Sequence, residues 1–147
     1  MTEAQKNKLI TITTGLVDKP YKYGADPKDA PNYFDCSSFI QYAFGQIDIE
    51  PPRSGVLQAA DKKGKEIKPD SDFSNLETGD LLFMRSDRGH YHDELFGGRK
   101  IDIGHVVMYL GDGKIINARQ KKGGVAIEDL QEFTQKLNYN IVLAKRF

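Results

Sequence analysis

The chain of 147 residues has a single cysteine, Cys36, in the segment FDCSSF at positions 34–39. One cysteine excludes an intramolecular disulfide and a zinc site built from several cysteines. A buried core thiol and a reactive nucleophile remain as interpretations. Cysteine is among the most buried residue types, and Cys36 continues an apolar stripe at helical spacing, which supports the first. The other members of the stripe are Phe39, Ile40, Ala43, Phe44 and Ile47.

The residues next to Cys36 also fit a nucleophile. Asp35 is a good N-cap, so Cys36 would be the first residue of an amphipathic helix. A thiol at that position feels the positive end of the helix dipole, which favours the thiolate over a thiol of pKa about 8.5. The choice between the two interpretations depends on whether a base and an orienting group lie elsewhere in the chain.

His105 is the best candidate for the base, because it starts the strongest predicted strand, 104–110. A structural histidine at a strand end is the alternative. Side chains alternate along a strand, so His105 and Val107 share a face. If 111–113 form a three-residue loop with Gly113 left-handed, Val107 pairs with Asn117, which then lies diagonally next to His105.

The length of that loop decides the position of Asn117. The three-residue loop also pairs Leu110 with Lys114, whereas a two-residue loop would turn Asn117 to the opposite face. On the His105 face, the amide oxygen of Asn117 can hold one ring nitrogen of His105 while the other faces sulfur. We therefore expect a Cys-His-Asn set, with the Cys36 sulfur roughly 3–4 Å from a His105 nitrogen.

The remaining pattern predicts helices first and strands afterwards. Helices are expected at 3–18, from Cys36 to about 44–47, from Ser54 to about 62, and briefly at 128–137. Strands are expected at 64–67, 81–85, 104–110, 114–118, 125–127 and 140–145. This order predicts an α+β fold in which an antiparallel sheet of about five or six strands packs on the Cys36 helix, within one domain spanning 1–147.

Composition narrows the function classes. Lysine plus arginine equals aspartate plus glutamate at 21 each, so no net charge draws the molecule to nucleic acid or an anionic membrane. No apolar stretch approaches the roughly 20 residues that span a bilayer. The N-terminus lacks the features of a signal peptide, which predicts a cytoplasmic chain, a phage-delivered one or part of a longer exported product. We expect a monomer.

Five segments together resemble the NlpC family of bacterial cell-wall cysteine peptidases, which has a compact papain-like fold. The resemblance covers about 9–144, with all five segments in the family's order. They are PYKYG at 20–24, FDCSSF at 34–39, PRS at 52–54, TGDL at 78–81 and GHVVMYLGDG at 104–113.

The resemblance implies that Cys36 is the nucleophile, His105 the base and Asn117 the third polar group, where many members have histidine. It implies no cofactor and no metal. It further implies substrate-binding roles near the nucleophile for Tyr23, Asp35, Ser37, Arg53 and Ser54. Tyr23 would border the thiol, Asp35 and Ser37 would contact the amino end of the substrate, and Arg53 and Ser54 would line its acyl side.

Each binding role has a structural alternative, such as helix capping for Asp35 or a surface charge for Arg53. The chain also departs from the family pattern. Ser38 and Ala25 replace glycines, and the excursion 86–103 is longer than usual. His90 and His92, with two acidic residues beside them, would suit a metal, although a solvated loop is the commoner role of such a segment.

The activity implied by the resemblance is hydrolysis of the bond between γ-D-glutamate and a diamino acid, diaminopimelate or lysine, in the stem peptides of peptidoglycan or in muropeptides. The alternatives are an amidase or an acyltransferase on the same fold, or a catalytically silent wall-binding module.

Overall fold

The computed structural model describes residues 1–85 and 93–147. In these ranges the α-helices are α1 (Glu3–Thr14), α2 (Cys36–Gly45), α3 (Gly55–Ala60) and α4 (Leu130–Gln135). The strands are β1 (Lys65–Ile67), β2 (Leu81–Met84), β3 (His105–Gly111), β4 (Lys114–Arg119), β5 (Gly124–Asp129) and β6 (Ile141–Arg146). The predicted α+β class is confirmed, and each predicted strand is present within two residues at either end.

The strands form one antiparallel sheet in the order β1-β6-β2-β3-β4-β5. Each face carries its own hydrophobic cluster, because side chains alternate along the strands. Val106 and Ile116 belong to the cluster that includes α2, whereas Val107 and Ile115 belong to the cluster that includes α4. The sheet is thus covered by α2 on one face and by α4 on the other.

Helix α2 begins where the sequence predicts. The Asp35 carboxylate accepts a hydrogen bond from the Ser38 backbone N–H at 2.8 Å, and the Ser38 hydroxyl accepts one from the Asp35 N–H at 2.9 Å. This reciprocal capping box satisfies two backbone donors at the start of the helix. Ser38, a departure from the family's glycine, therefore helps to fix the first turn that carries Cys36.

The β3–β4 hairpin reaches the predicted register by an unexpected route. Gly111 pairs with Lys114, which leaves a two-residue turn, and Leu110 is the extra residue of a β-bulge. The predicted pairing of Leu110 with Lys114 is therefore wrong. The pairs Met108–Ile116 and Tyr109–Ile115 nevertheless have the register that places Val107 opposite Asn117. The bulge adds one residue to one strand and so cancels the shift of the shorter turn.

Helices α1 and α4 are shorter than expected, because residues next to them pair with β5 or belong to it. Helix α1 ends at Thr14 rather than 18, and the Asp18 N–H donates to the Val125 carbonyl at 2.9 Å. Helix α4 begins at Leu130 rather than 128, since Glu128 and Asp129 continue β5 and pair with β4. Strand pairing overrides the local helical pattern at both places.

Candidate active site

Cys36 is the first residue of α2 and its side chain is partly exposed. Backbone N–H groups of Val106 and Ser37 hydrogen-bond its sulfur and favour the thiolate, but burial and the Asp35 carboxylate raise the pKa of the thiol to about 11. The expected net lowering by the helix dipole is therefore wrong. The bond from Val106, the residue after His105, places the thiol at the start of β3.

His105 and Asn117 are in direct contact. The Nε2 of His105 lies 2.8 Å from the Oδ1 of Asn117, as the predicted register requires. Burial lowers the pKa of His105 to about 4 although its hydrogen bond with Asn117 acts in the opposite direction. At neutral pH the imidazole is uncharged, and an uncharged imidazole can accept a proton.

Two aromatic rings lie against the imidazole of His105. The ring centroid of Phe133 lies 6.1 Å away in a stacked arrangement, and that of Tyr139 lies 5.7 Å away. Phe133 and Tyr139 stack on each other at 4.2 Å. These contacts restrict the ring plane of His105, and they explain much of its burial.

The amide of Asn117 also contacts a buried ion pair, Arg119 and Glu128, which the sequence analysis did not predict. Its Nδ2 donates to the Glu128 carboxylate at 2.9 Å, and Arg119 contacts the same carboxylate through Nε at 3.1 Å and Nη2 at 2.5 Å. The side chains of Arg119 and Glu128 are only 8% and 9% exposed. Only the two-residue periodicity of Asn117 and Arg119 along one strand could have indicated this cluster.

Three of the predicted substrate-binding residues form one polar cluster beside Cys36. Arg53 donates to the Asp35 carboxylate at 2.6 Å, to the Ser37 hydroxyl at 2.8 Å and to the Ala25 carbonyl at 2.6 Å. Gln58 holds the carbonyl of Ser37 at 2.9 Å. Arg53 is thus not an isolated surface charge, and the structure brings Asp35, Ser37 and Arg53 together.

The other two predicted binding residues are placed differently. Ser54 is the N-cap of α3, where its hydroxyl accepts from the Leu57 N–H at 3.3 Å. Tyr23 is 87% exposed, whereas the phenol of Tyr21 feels the charge of Cys36. Burial together with Cys36 and Asp35 raises the pKa of Tyr21 to about 12, so this phenol stays neutral. Tyr21 is therefore a site residue that sequence reasoning missed in favour of Tyr23.

A small cavity of about 190 Å³ opens beside His105. Backbone of Gly104 and polar side chains line it, and Lys121 is an exposed cation at its wall. The full lining consists of Tyr21, Gly104, His105, Arg119, Gln120, Lys121 and Tyr139. The cavity lies on the imidazole side of the candidate site and carries positive charge.

Neither a metal site nor a membrane-spanning helix is present among the described residues. Across 1–85 and 93–147, no group of three or more histidine, cysteine, aspartate or glutamate side chains is arranged to hold a metal ion. His90 and His92, the residues behind the metal alternative, lie outside the described residues. Among the helices that are described, none is long and apolar enough to cross a membrane.

Comparison with known proteins identifies the family of the chain. Residues 18–143 match the model of the NlpC/P60 family. The chain is 34% identical over 116 residues to a gamma-DL-glutamyl hydrolase of Bacillus subtilis, covering 78% of this chain and 24% of that protein. It is 26% identical over 140 residues to the peptidoglycan DL-endopeptidase CwlO of Bacillus licheniformis, covering 92% of this chain and 27% of that protein.

A solved structure of an NlpC/P60 family protein from Bacillus cereus has 26% identity, with a TM-score of 0.73 over 97% of this chain and 40% of the other. The chain spans about a quarter of the length of these two curated relatives. The family match covers all the site residues described above, from Tyr21 to Tyr139. The chain therefore belongs to the NlpC/P60 family.

Proposed function

We propose that the chain is a cysteine endopeptidase that hydrolyses peptidoglycan stem peptides at the bond between γ-D-glutamate and a diamino acid. The observation that carries the proposal is the 2.8 Å contact between His105 and Asn117, next to a thiol at the start of α2. The names of the two relatives support this class of bond, since one is a gamma-DL-glutamyl hydrolase and the other a peptidoglycan DL-endopeptidase.

The first half of the reaction uses the neutral thiol and the neutral imidazole. His105 takes the proton of Cys36 as the sulfur forms a bond to the carbonyl carbon. The oxygen of the tetrahedral intermediate meets the Cys36 backbone N–H, which has no acceptor inside the first turn of α2. The C–N bond then breaks, and the leaving amine takes the proton from His105.

The second half returns the enzyme to its starting state. Water gives a proton to His105 and its oxygen bonds to the thioester carbon. The C–S bond breaks, the sulfur recovers the proton from His105, and the product leaves as a carboxylic acid. No oxidant or metal is needed for this proton balance. Asn117 holds Nε2 throughout, so the same ring nitrogen serves both halves.

The acyl side of the substrate is assigned to the cluster of Asp35, Ser37 and Arg53. A free amino end of the stem peptide would meet the Asp35 carboxylate, whose charge Arg53 stabilises at 2.6 Å. Tyr21 remains a neutral phenol beside the thiol and offers an O–H donor to the substrate backbone. Asp35 and Ser37 lie at the start of α2 and Arg53 contacts both, as an acyl group bonded to Cys36 requires.

The decisive experiment replaces the nucleophile. Cys36→Ala, with its fold verified by circular dichroism, is expected to lose all turnover of purified muropeptides, measured by chromatography and mass spectrometry. Ser37→Ala, which keeps the thiol, serves as the matched control and is expected to retain turnover at a raised KM. Turnover by the folded Cys36→Ala protein would refute the mechanism.

The masses of the products separate the alternatives on the same fold. An endopeptidase leaves γ-D-glutamate as the new carboxyl end, an amidase releases the whole stem from the sugar, and an acyltransferase forms a new amide in the presence of an amine. A silent wall-binding module gives no product at all. Turnover is a better test than alkylation, because a thiol of pKa about 11 reacts slowly with iodoacetamide at neutral pH even in an active enzyme.

The cavity beside His105 suits the leaving diamino acid, because His105 must protonate the leaving amine. Lys121 at its wall favours a diamino acid with a second carboxylate, namely diaminopimelate over lysine. We expect Lys121→Gln to lose about tenfold in kcat/KM on diaminopimelate stems and little on lysine stems. Lys122→Gln, one residue outside the described lining, is the charge-matched control. Equal rates on both stems by the unsubstituted protein would refute this specificity while leaving the peptidase assignment intact.

A further inference from the structure

The catalytic use of Asn117 depends on which way its amide faces. An asparagine side chain has an acceptor oxygen and a donor nitrogen of nearly equal size, so two orientations fit the same space. Only the orientation with oxygen toward Nε2 makes His105 carry its proton there and leaves Nδ1 free as the base. The opposite orientation would place the ring proton on the wrong nitrogen.

Glu128 removes this ambiguity in the structure. Its carboxylate lies 2.9 Å from Nδ2 of Asn117, and an ionised carboxylate can only accept hydrogen bonds. The amide nitrogen must therefore face Glu128 and the amide oxygen must face His105. The carbonyl of Ala126 accepts a second bond from the same nitrogen at 3.4 Å, which supports the same orientation.

Arg119 keeps Glu128 in the ionised form. Burial acts to raise the pKa of Glu128, but hydrogen bonds from Arg119 and Asn117 lower it below its ordinary value. The guanidinium is itself held, because it lies over the rings of Phe133 and Tyr139 at 5.5 and 5.8 Å. The positive charge also offsets the attraction of Glu128 for a protonated His105.

The strand register brings these groups together. Ile115, Asn117 and Arg119 share one face of β4, and their partners on β5 are Glu128, Ala126 and Gly124. Glu128 is thus diagonal to Asn117, and Arg119 lies one step further along the same face. The arrangement depends on backbone pairing over six residues rather than on a mobile loop.

We propose that Glu128, held by Arg119, is a positioning residue that fixes the amide of Asn117 and thereby the Nε2-protonated form of His105. The kinetic part of this proposal rests on the proposed peptidase function. The structural part, the position of the ring proton, does not depend on any activity.

The ring proton is tested directly by nitrogen NMR of protein labelled in its three histidines. Comparison with His105→Gln identifies the His105 signals among the three. At pH 7.5 we expect the unsubstituted protein to show protonated Nε2 and unprotonated Nδ1. Dominant Nδ1 protonation would overturn the proposal. This measurement uses the unsubstituted protein, so it remains valid even if a variant at Glu128 fails to fold.

The effect of Glu128 is tested with Glu128→Gln, which keeps the shape but removes the charge and turns one of the two accepting oxygens into an NH2 donor that must face either Arg119 or Asn117. We expect a mixture of ring tautomers for His105, and a fall in kcat of about tenfold at nearly constant KM. Asp129→Asn is the matched control, because it removes the charge of a carboxylate paired with Lys114 on the same two strands, while asparagine keeps the N-cap of α4. That control is expected to change neither the tautomer nor kcat.

A double-mutant cycle separates positioning from a merely structural effect. In an Asn117→Ala background, Glu128→Gln should lower kcat no further, since its action passes through the amide. Multiplying losses in the double variant would overturn the proposal. If no peptidase activity is found but the tautomer result holds, the positioning role stands and the proposed function fails.

Discussion

At the scale of single residues, the two groups proposed to do the chemistry, Cys36 and His105, are both uncharged. The thiol has a pKa of about 11 and the imidazole a pKa of about 4, so both groups are neutral near pH 7. Burial is the first cause of both shifts, and Asp35 adds to that of the thiol. The proposed mechanism therefore starts from a neutral thiol and a neutral imidazole rather than from a thiolate–imidazolium pair, with His105 as the proposed general base.

The pKa of His105 predicts a pH dependence of stability. An unfolded histidine has a pKa of about 6.5, and the folded value is about 4. Between these values the unfolded chain binds more protons, so the contribution of neutral His105 is complete above pH 6.5 and is lost as pH falls toward 4. We expect the unfolding free energy of the protein to fall relative to that of His105→Gln, by up to about 1 kcal/mol per pH unit.

Urea unfolding of the two proteins at pH 7.5, 5.5 and 4.5 measures this difference. His90 and His92 are present in both proteins, so their contributions cancel in the comparison. Parallel pH dependences would contradict the prediction, because they would mean that His105 titrates alike in the folded and unfolded chains.

At the scale of secondary-structure elements, two of the predicted substrate-binding residues, Asp35 and Ser54, are helix N-caps. Ser54 caps the start of α3 and Asp35 caps the start of α2, and the side-chain oxygen of each accepts a hydrogen bond from a backbone N–H. The Asp35 side chain also accepts a hydrogen bond from Arg53. For the Ser54 side chain, the capping bond is the only contact that is described. Ser54 is thus the binding prediction with the strongest structural alternative.

Substitutions at Ser54 distinguish the two roles. Ser54→Ala should lower the unfolding free energy by about 1 kcal/mol, and Ser54→Asp should restore it, because aspartate is an equally good N-cap. We expect kcat/KM on muropeptides to stay within about threefold of the unsubstituted value in both variants. A raised KM in Ser54→Asp at restored stability would instead show that the hydroxyl contacts substrate.

The elements were more predictable than the contacts between them. Periodicity located the strands and the start of α2, because a helix N-cap and a two-residue alternation are local signals. The hairpin shows the limit: its GDG segment suits turns of two or three residues, and the Leu110 bulge depends on pairing along the whole strand. Asn117 was placed correctly although the turn was not.

At the scale of the whole molecule, the segment that carries Tyr21 passes close to Gly124, the first residue of β5. An added Cβ at Gly124 would lie 2.1 Å from the Lys19 carbonyl oxygen and 3.1 Å from the Pro20 Cα. Bonds from Val125 N–H to Lys19 at 3.0 Å and from Tyr21 N–H to Gly123 at 2.9 Å hold the crossing. The position of Tyr21 near the thiol thus depends on a glycine about a hundred residues away.

Gly124→Ala should therefore destabilise the protein by about 2–3 kcal/mol, since backbone atoms must move to accept the methyl group. It should also lower kcat/KM, because the moved segment carries Tyr21. Gly45→Ala is the control: nothing lies within 4 Å of its added Cβ, and it ends α2. Thermal and urea unfolding of both variants check the prediction, and equal stabilities of the two would contradict it.

Contacts of this range explain what sequence reasoning missed. Tyr21 and Tyr23 are both tyrosines in one irregular segment, and the crossing at Gly124 holds the backbone of Tyr21, whereas the side chain of Tyr23 is exposed. Glu128 lies at the boundary between a short strand pattern and a helical one, so its place beside Asn117 follows from the β4–β5 ladder. The local sequence around Tyr21 and around Glu128 therefore does not predict where either side chain lies.

The bulge at Leu110 has a consequence for how this domain tolerates changes in length. Surface hairpin tips ordinarily accept insertions and deletions with little harm. Here the bulge holds a residue that the pairing does not use: without Leu110, Gly111 still pairs with Lys114 and Tyr109 with Ile115, so Val107 stays opposite Asn117. The hairpin can therefore lose one residue at the bulge and keep Asn117 on the same face as His105. The tip of this hairpin is thus a place where the domain can change its length without moving the amide that contacts His105.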